Sequence, residues 1–178
     1  TPIASVRLYA SLIQSSPEER RAAYFEAMNR EIARLSQLVE EILQIGRIEA
    51  GRLELDLQAT DLGMLASTAV ASHEAKAEGK GLSLEYDIPK KPVTILVDVH
   101  WFNRVLNELV VNAINYTPAG TVKVSVGIDT RDDREWAVCT VVDTGIGIPP
   151  EEQMHIFERF YRGEVPRTMQ ISGTGLGL

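Results

Sequence analysis

Apolar residues in the first third of the chain follow the spacing of helices. From Ile3 to Ile13 they recur every three or four positions, and a second series from Phe25 to Ile42 alternates the same two steps. Between the two series, Ser16 is placed to cap a helix whose first residue is Pro17. The pattern predicts a hairpin of two helices, the second of which reaches about Ala50.

The apolar face of the second predicted helix is too broad for one hairpin to bury. Its members are Phe25, Met28, Ile32, Leu35, Val39 and Ile42, with Leu38, Leu43 and Ile45 beside them. Two chains can cover such faces by forming a four-helix bundle. The pattern therefore predicts a homodimer through the hairpin, and packing against the downstream part of the chain is the alternative.

Beyond Gly51 the pattern changes to short strands that alternate with helices. Strands are predicted at 53–57, 82–88, 93–97, 121–128 and 136–143, and helices at 61–79 and 98–115. Asp61 and Asp98 stand where each helix needs an N-cap, and residues 131–134 join the last two strands as a hairpin. The fold class is therefore predicted to be α+β, a helical hairpin followed by an α/β sandwich.

Charge and cysteine content narrow the possible partners. The 178 residues carry a net charge of -7, which argues against nucleic acid, whose phosphates are met by clustered Lys and Arg. The single cysteine, Cys139, excludes an internal disulfide and is predicted to be a small core side chain.

Since no stretch approaches the roughly 18 apolar residues of a membrane span, no membrane contact is expected in this part of the protein. At both ends of the sequence a helical pattern looks cut part-way, so we expect the sequence to be a fragment of a longer protein.

The helix predicted after Asp98 carries the first group of candidate functional residues. Glu108 and Asn112 are four positions apart and lie on one helix face, and Asn115 and Tyr116 follow one turn later. A carboxylate and an amide oxygen on one face can hold or orient a hydrated magnesium ion. A solvated polar face would have the same spacing.

Two glycine-rich segments form the second group. One follows a predicted strand, and the other ends the chain; their candidate residues are Asp143, Gly145, Gly147 and Ile148, then Gly173, Thr174, Gly175, Leu176 and Gly177. A buried Asp143 could accept a hydrogen bond from an exocyclic amine such as that of adenine, and glycines let backbone amides approach an anion closely. Asp-Xaa-Gly is also an ordinary turn signal, and a short glycine motif carries little information alone.

The segment from Ile156 to Gly163 contains two aromatic residues and two arginines. It is predicted to be a short helix that Phe157 and Phe160 anchor, with Arg159 and Arg162 reaching for phosphate oxygens. A packed surface helix with ordinary exposed arginines is the alternative.

In this order the motifs resemble the histidine kinase family of two-component systems. Residues 107–118 resemble its N box, Asp143 to Pro149 its G1 box, Phe157 to Gly163 its F box and Gly173 to Leu178 its G2 box, while residues 35–51 are similar to its second dimerisation helix. The resemblance implies a dimerisation and phosphotransfer hairpin over residues 1–52 and a catalytic ATP-binding domain of the histidine kinase/Hsp90-like type over residues 53–178. It also implies transfer of the γ-phosphate of ATP to a histidine, with Mg²⁺, and relay to a response regulator receiver domain.

The resemblance also assigns roles to individual residues. Asn112 would ligate magnesium, Glu108 would be a second polar group at the metal or a general base, Tyr116 would lie near the adenine and Asp143 would bind the adenine amine. The other nucleotide contacts would come from Asn115, Gly145, Gly147, Ile148 and the G2 residues 173–177, with Arg159 and Arg162 at the γ-phosphate or between the domains, and with residues 164–172 as a lid.

Two departures from the family pattern qualify this interpretation. Asn115 stands where relatives commonly carry a basic residue, and the acceptor histidine is expected four residues before the Thr-Pro pair, upstream of Thr1. Thr1 would support dephosphorylation of the regulator. The fragment is expected on the cytoplasmic side of a membrane-associated protein. An ATPase of the same fold and a catalytically silent ATP-binding dimerisation module are the alternative functions.

Overall fold

The computed structural model describes residues 2–51, 53–163, 175, 177 and 178. The chain divides between Glu54 and Leu55 into two compact units, a helical hairpin and an α/β unit. This architecture is the predicted α+β fold class. No helix within the described ranges combines the length and the apolar character needed to cross a membrane.

The hairpin consists of α1, Pro2–Ser15, and α2, Glu18–Glu49, which pack along each other. The rings of Tyr9 and Tyr24 stack between the two helices with their centroids 6.5 Å apart. The prediction of Ser16 as a side-chain cap is wrong. Pro17 occupies the N-cap position, its ψ of 150° keeps it outside the helix, and among the described residues there is no side-chain cap bond at this end.

The apolar seam predicted on α2 is exposed in the single chain. Phe25, Ile32, Val39 and Ile42 are exposed, whereas Met28 and Leu35 are half-buried. Packing against α1 therefore covers only part of the seam.

In the described residues of the α/β unit there are two small sheets and two helices. Its elements are β1, Leu57–Asp61; α3, Leu62–Gly79; β2, Ser83–Asp87; β3, Thr94–Asp98; α4, Val99–Tyr116; β4, Thr121–Arg131; and β5, Arg134–Asp143. One sheet is the antiparallel pair β1-β3, and the other has the order β2-β4-β5, with β2 parallel and β5 antiparallel to β4.

The first strand does not lie where it was predicted. It was expected at 53–57 but covers Leu57–Asp61, because its register is fixed by pairing with β3, where Leu57 lies opposite Asp98. The other strands and helices begin and end close to the predicted positions. Asp61 caps α3 and Asp98 caps α4, as predicted, through side-chain bonds to backbone N–H groups of the first turn.

The predicted hairpin between the last two strands is confirmed, and both strands reach the turn. Asp132 and Asp133 form a two-residue turn with φ values of 52° and 57°. This conformation matches the twist of antiparallel strands, and Asp tolerates it better than most residues with a β-carbon.

The core lies between α3, α4 and one face of the three-stranded sheet. Val122, Val124 and Val126 alternate along β4 and are buried, with Leu62, Ala66, Val70, Val110, Ala113 and Ile114 supplied by the helices. Cys139 packs against this cluster as predicted, and burial raises the pKa of its thiol. The cluster fixes α4 on the sheet, and α4 carries the predicted site residues Glu108, Asn112, Asn115 and Tyr116.

Candidate functional site

Helix α4 presents a buried apolar face and a half-buried polar face. Val110 and Ile114 are fully buried, whereas Glu108 and Asn112 lie one turn apart and are half-buried. The helix begins at Asp98, whose Oδ1 accepts a 3.1 Å hydrogen bond from the Trp101 amide. Backbone N–H donors, that of Trp101 first, lower the pKa of the Asp98 carboxyl. The predicted shared face of Glu108 and Asn112 is thus present, on a helix with a defined start.

The last turn of α4 has a hydrogen-bond partner for each terminal carbonyl group. Thr117, which is fully buried, donates to Ala113 O from its backbone N at 3.1 Å and from its hydroxyl at 2.7 Å. Tyr116 O accepts from the backbone N of Ile146 at 3.1 Å. This last bond joins the end of the N box directly to the G1 box.

Lys80 supplies the remaining donors at this helix end, and sequence reasoning missed it. Its Nζ lies 2.7 Å from Ile114 O, 3.1 Å from Asn115 O and 3.3 Å from Thr117 O. The available sequence signal was Pro118, which has no N–H to offer the last turn.

The G1 box starts at the end of β5 and is held by a bond within the box and a bond to the start of β4. Asp143 Oδ1 accepts from Gly145 N at 2.8 Å, and Thr144 N donates to Thr121 O at 3.1 Å. The expectation that Asp143 is buried is wrong: the residue is exposed at the strand end.

Gly145 allows the G1 box to lie against the N box. A β-carbon at this position would overlap Tyr116 O and lie 2.7 Å from Asp143 Oδ1. Gly147 has a φ of 69° with open space where a side chain would point, and its neighbour Ile148 is exposed. The predicted G1 residues therefore combine a tight approach to α4 with an open, exposed segment after it.

The F box does not form the predicted short helix. Residues 151–160 make consecutive turns, Phe160 has a φ of 62°, and its N–H donates to Gly175 O at 2.7 Å rather than to a preceding carbonyl. Phe157 and Phe160 are 71% and 59% exposed, so neither anchors the segment as expected. The bond from Phe160 to Gly175 reaches outside the segment, so a local sequence pattern does not predict it.

The two F-box arginines differ in exposure. Arg159 is exposed, whereas Arg162 is half-buried. His155 Nδ1 lies 2.7 Å from Glu158 Oε1 within the same turns. The arginines are therefore close in sequence to the G2 contact at Phe160 but are not presented by a helix.

Two G2 glycines are described, and each contacts another box. A β-carbon at Gly177 would overlap the Glu108 carboxylate, and one at Gly175 would lie 2.7 Å from Tyr161 O. Gly175 also has a φ of 74°, which glycine adopts readily. The predictions for Thr1, Gly173, Thr174, Leu176 and the lid at 164–172 lie outside the described residues.

The described parts of the four boxes are linked by contacts within the α/β unit. The N box meets G1 at Tyr116 and Ile146, it meets G2 at Glu108 and Gly177, and the F box meets G2 at Phe160. Such an arrangement combines the oxygen-bearing side chains of Glu108 and Asn112 on α4 with backbone that approaches one of them, Glu108, closely. It can hold a phosphorylated ligand and a hard cation, which prefers oxygen ligands shared with phosphates.

Two family models match the chain. Residues 1–51 match the His Kinase A (phospho-acceptor) domain, and residues 97–178 match the histidine kinase-, DNA gyrase B- and HSP90-like ATPase. The sensor histidine kinase MtrB of Mycolicibacterium paratuberculosis is 33% identical over the whole chain, which covers 31% of that protein. The probable sensor histidine kinase TcrY of Mycobacterium tuberculosis is 35% identical over the whole chain, which covers 37% of it. The chain thus spans about a third of the length of these curated relatives.

Solved structures share the fold at lower sequence identity. The Acinetobacter baumannii histidine kinase AdeS has a TM-score of 0.75 at 23% identity, covering 99% of this chain and 80% of its own. Full-length ShkA in complex with AMPPNP has a TM-score of 0.73 at 24% identity, covering 99% and 39%. Histidine kinase ThkA in complex with response regulator protein TrrA has a TM-score of 0.66 at 20% identity, covering 91% and 47%.

Proposed function

This chain belongs to the sensor histidine kinases, and we propose that it is the kinase core of such a protein. In this proposal it binds Mg-ATP and transfers the γ-phosphate to a histidine that precedes Thr1, for relay to a response regulator aspartate. The observation that carries the proposal is the meeting of the N box with both glycine-rich boxes, at Tyr116 with Ile146 and at Glu108 with Gly177.

The residues present fit a nucleotide with magnesium. Gly145 and Gly177 let the backbone lie closer to α4 than a residue with a β-carbon could, and Glu108 and Asn112 are half-buried side chains of that helix with oxygen atoms for a metal. Magnesium is usually held by few protein oxygens together with substrate phosphates, so Asn112 suffices as the protein ligand, with Glu108 as the second polar group. When bound, magnesium neutralises charge on the phosphate oxygens.

The base and phosphates of ATP are assigned to the remaining site residues. The Asp143 carboxylate would accept a hydrogen bond from the adenine amine, since only its Oδ1 bonds another described residue, Gly145. Asn115 and Tyr116 would line the adenine side, Gly147 and Ile148 would shape the pocket, and the amides of Gly175 and Gly177 would face the phosphates. Gly173, Thr174 and Leu176 would complete the phosphate loop.

Phosphoryl transfer asks the protein mainly for positioning and charge stabilisation. A neutral imidazole nitrogen of the acceptor histidine would attack the γ-phosphorus as the bond to the ADP oxygen breaks. Arg159 and Arg162 would place the γ-phosphate through charge-assisted hydrogen bonds, or would dock the two domains. Glu108 would orient the metal or act as a general base.

The hairpin would supply the dimer and the regulator surface. The exposed seam of α2 supports a four-helix bundle made by two chains. Since the related kinase ThkA forms a complex with a response regulator protein, we propose a receiver domain as the partner here as well, with Thr1 assisting its dephosphorylation. A cytoplasmic position in a longer, membrane-associated protein stays a prediction.

Nucleotide binding by the chain is the first test. Titration with ATP in the presence and absence of Mg²⁺ should show metal-dependent binding, and Asn112→Ala should abolish that dependence. Asn107→Ala is the matched control, because the Asn107 side chain bonds His73 at 2.8 Å and Asn103 O on the same helix. Equal binding by wild type and Asn112→Ala would remove Asn112 from the metal site.

Phosphotransfer is the second test. A chain extended upstream to include the acceptor histidine should form acid-labile phosphate with γ-labelled ATP. Binding without transfer would favour the silent dimerisation module, and release of free phosphate without protein labelling would favour an ATPase of the same fold.

A further inference from the structure

We propose that Lys80 is a positioning residue for the nucleotide site, because its ammonium group caps the C-terminal end of the N-box helix. The inference rests on the proposed function, since it concerns the same site. Lys80 lies directly after α3, 34 positions before the first carbonyl that it bonds.

The end of α4 lacks the donors that a continuing helix would provide. The carbonyl of Ile114 would accept from the N–H of residue 118, but that residue is Pro118, which has none. Thr117 is already extended, with φ -99° and ψ 109°, so the chain leaves the helix before later amides could bond Asn115. The two carbonyls therefore need donors from elsewhere in the fold.

The Lys80 ammonium group has as many N–H donors as there are carbonyl oxygens around it at the end of α4. It has three N–H donors, and three carbonyl oxygens, those of Ile114, Asn115 and Thr117, lie within 3.3 Å of Nζ. A cation at this position also opposes the partial negative charge of the helix C-terminus. Lys80 is thus both the hydrogen-bond donor and the electrostatic complement of this helix end.

The cap bears on the nucleotide site because the same turn carries site residues and touches G1. The Asn115 carbonyl accepts a hydrogen bond from Lys80, and the carbonyl of its neighbour Tyr116 accepts one from Ile146 N at 3.1 Å. If the turn frays, the Tyr116 bond to the G1 box is lost with it. We therefore expect Lys80 to hold the N box and the G1 box in register.

The experiment compares Lys80→Met, which keeps a long side chain without donors, with Lys80→Arg, which keeps donors and charge. Lys76→Met is the control for charge alone: Lys76 lies in the last turn of α3, and burial first, then the Lys80 ammonium, lower its pKa. Each variant is measured for Mg-ATP affinity, for amide exchange in α4 without nucleotide and for thermal unfolding.

We expect Lys80→Met to lose about tenfold in Mg-ATP affinity, as when charge-assisted hydrogen bonds are removed from a partly buried site. The Mg-ATP affinity of Lys80→Arg should stay within about threefold of the wild-type affinity, and that of Lys76→Met should equal the wild-type affinity. Both variants keep a donor side chain at position 80, at the end of α4. In Lys80→Met, the amide exchange rates of residues 113–117 should be about tenfold higher than in wild type. The rates in the first turn of α4 should be unchanged.

Wild-type affinity in Lys80→Met, or equal losses in Lys80→Met and Lys76→Met, would overturn the inference. Unchanged exchange at the end of α4 would overturn it regardless of nucleotide binding. If wild type binds no ATP while exchange responds as expected, the proposed function fails and the cap stands. Should Lys80→Met not fold, Lys80→Gln, whose shorter amide side chain is uncharged, is compared with Lys76→Gln by the same measurements.

Discussion

Helices α2 and α4 show the same apolar spacing but bury it to opposite extents. Phe25, Val39 and Ile42 on α2 are 53%, 54% and 51% exposed, whereas Val110 and Ile114 on α4 are 0% exposed. Three-and-four periodicity identifies both helices as amphipathic. In the α/β unit the chain itself buries the apolar face of α4, whereas in the hairpin it buries only part of the apolar face of α2.

The difference shows what each unit needs in order to be stable. The α/β unit closes its core with a sheet, so α4 can carry a site of fixed geometry. The hairpin leaves large apolar side chains in water, and a face of this kind is typical of an interface with another chain. Substitutions of one chemical type placed in both units would test this contrast directly.

Ile114→Ala should give the largest effect. Truncating this fully buried side chain removes contacts in the core and leaves a cavity, which costs about 2–5 kcal/mol of unfolding free energy. Urea unfolding followed by tryptophan fluorescence isolates the effect, since both tryptophans, Trp101 and Trp136, lie in the α/β unit. A loss below about 1 kcal/mol would mean that this core is not close-packed around α4.

Ile42→Ala is the same chemical change on the exposed seam. It should alter the tryptophan-detected unfolding free energy by less than about 0.5 kcal/mol, because the side chain is not part of the α/β core. If two hairpins cover the seam, the dimer dissociation constant should rise by about tenfold, since both copies lose the contact.

Sedimentation equilibrium over a range of chain concentrations measures that dissociation constant. Met154→Ala is a control, because Met154 is 81% exposed and lies outside the hairpin. A wild-type chain that stays monomeric at all concentrations would contradict the dimer.

Local signals account for what the sequence predicted well. Asp61 and Asp98 identify the starts of α3 and α4 because a cap bonds amides within its own first turn. The β-rich run at 121–128 predicted β4 for a similar reason, since strand propensity depends on the residues of the run itself.

Contacts distant in sequence account for what was missed. The first strand was placed about four residues too early because its register depends on β3, some 37 positions away. In the F box the Phe160 N–H bonds Gly175 O, and the cap of α4 comes from Lys80. Local propensity contains no information on these partners, although Pro118 does indicate that one is needed.

Asp61→Ala should have the next largest effect on stability. It tests a second difference between the two units, since α3 begins with a side-chain cap and α2 does not. Asp61 Oδ1 accepts from Gly63 N at 3.0 Å and from Val93 N at 3.1 Å, so its loss leaves two amides without their acceptor. We expect a cost of about 1–2 kcal/mol in tryptophan-detected urea unfolding.

Ser16→Ala is the matched control for that measurement. Helix α2 begins without a side-chain cap bond, so this change should cost less than about 0.5 kcal/mol. A comparable loss in both variants would show that capping does not distinguish the two units.

Asp98→Asn should give the smallest effect, and only as a function of pH. Backbone N–H bonds, that of Trp101 first and that of Asp56 second, lower the pKa of Asp98 in the folded chain below its usual value of 3.8. A carboxyl with a depressed folded pKa stabilises the fold above its unfolded pKa, and this contribution disappears as the pH falls through the folded pKa.

Asn also caps helices but does not titrate, so wild type should exceed Asp98→Asn in stability above about pH 5 and converge with it in stronger acid. The effect is small because the half-buried carboxylate is still reached by solvent, which screens its charge. Urea midpoints from tryptophan fluorescence at successive pH values measure the convergence, with Ser16→Ala expected to follow wild type throughout. A stability difference that stays constant into strong acid would mean that the ionised carboxylate contributes nothing beyond its shape to the start of the N-box helix.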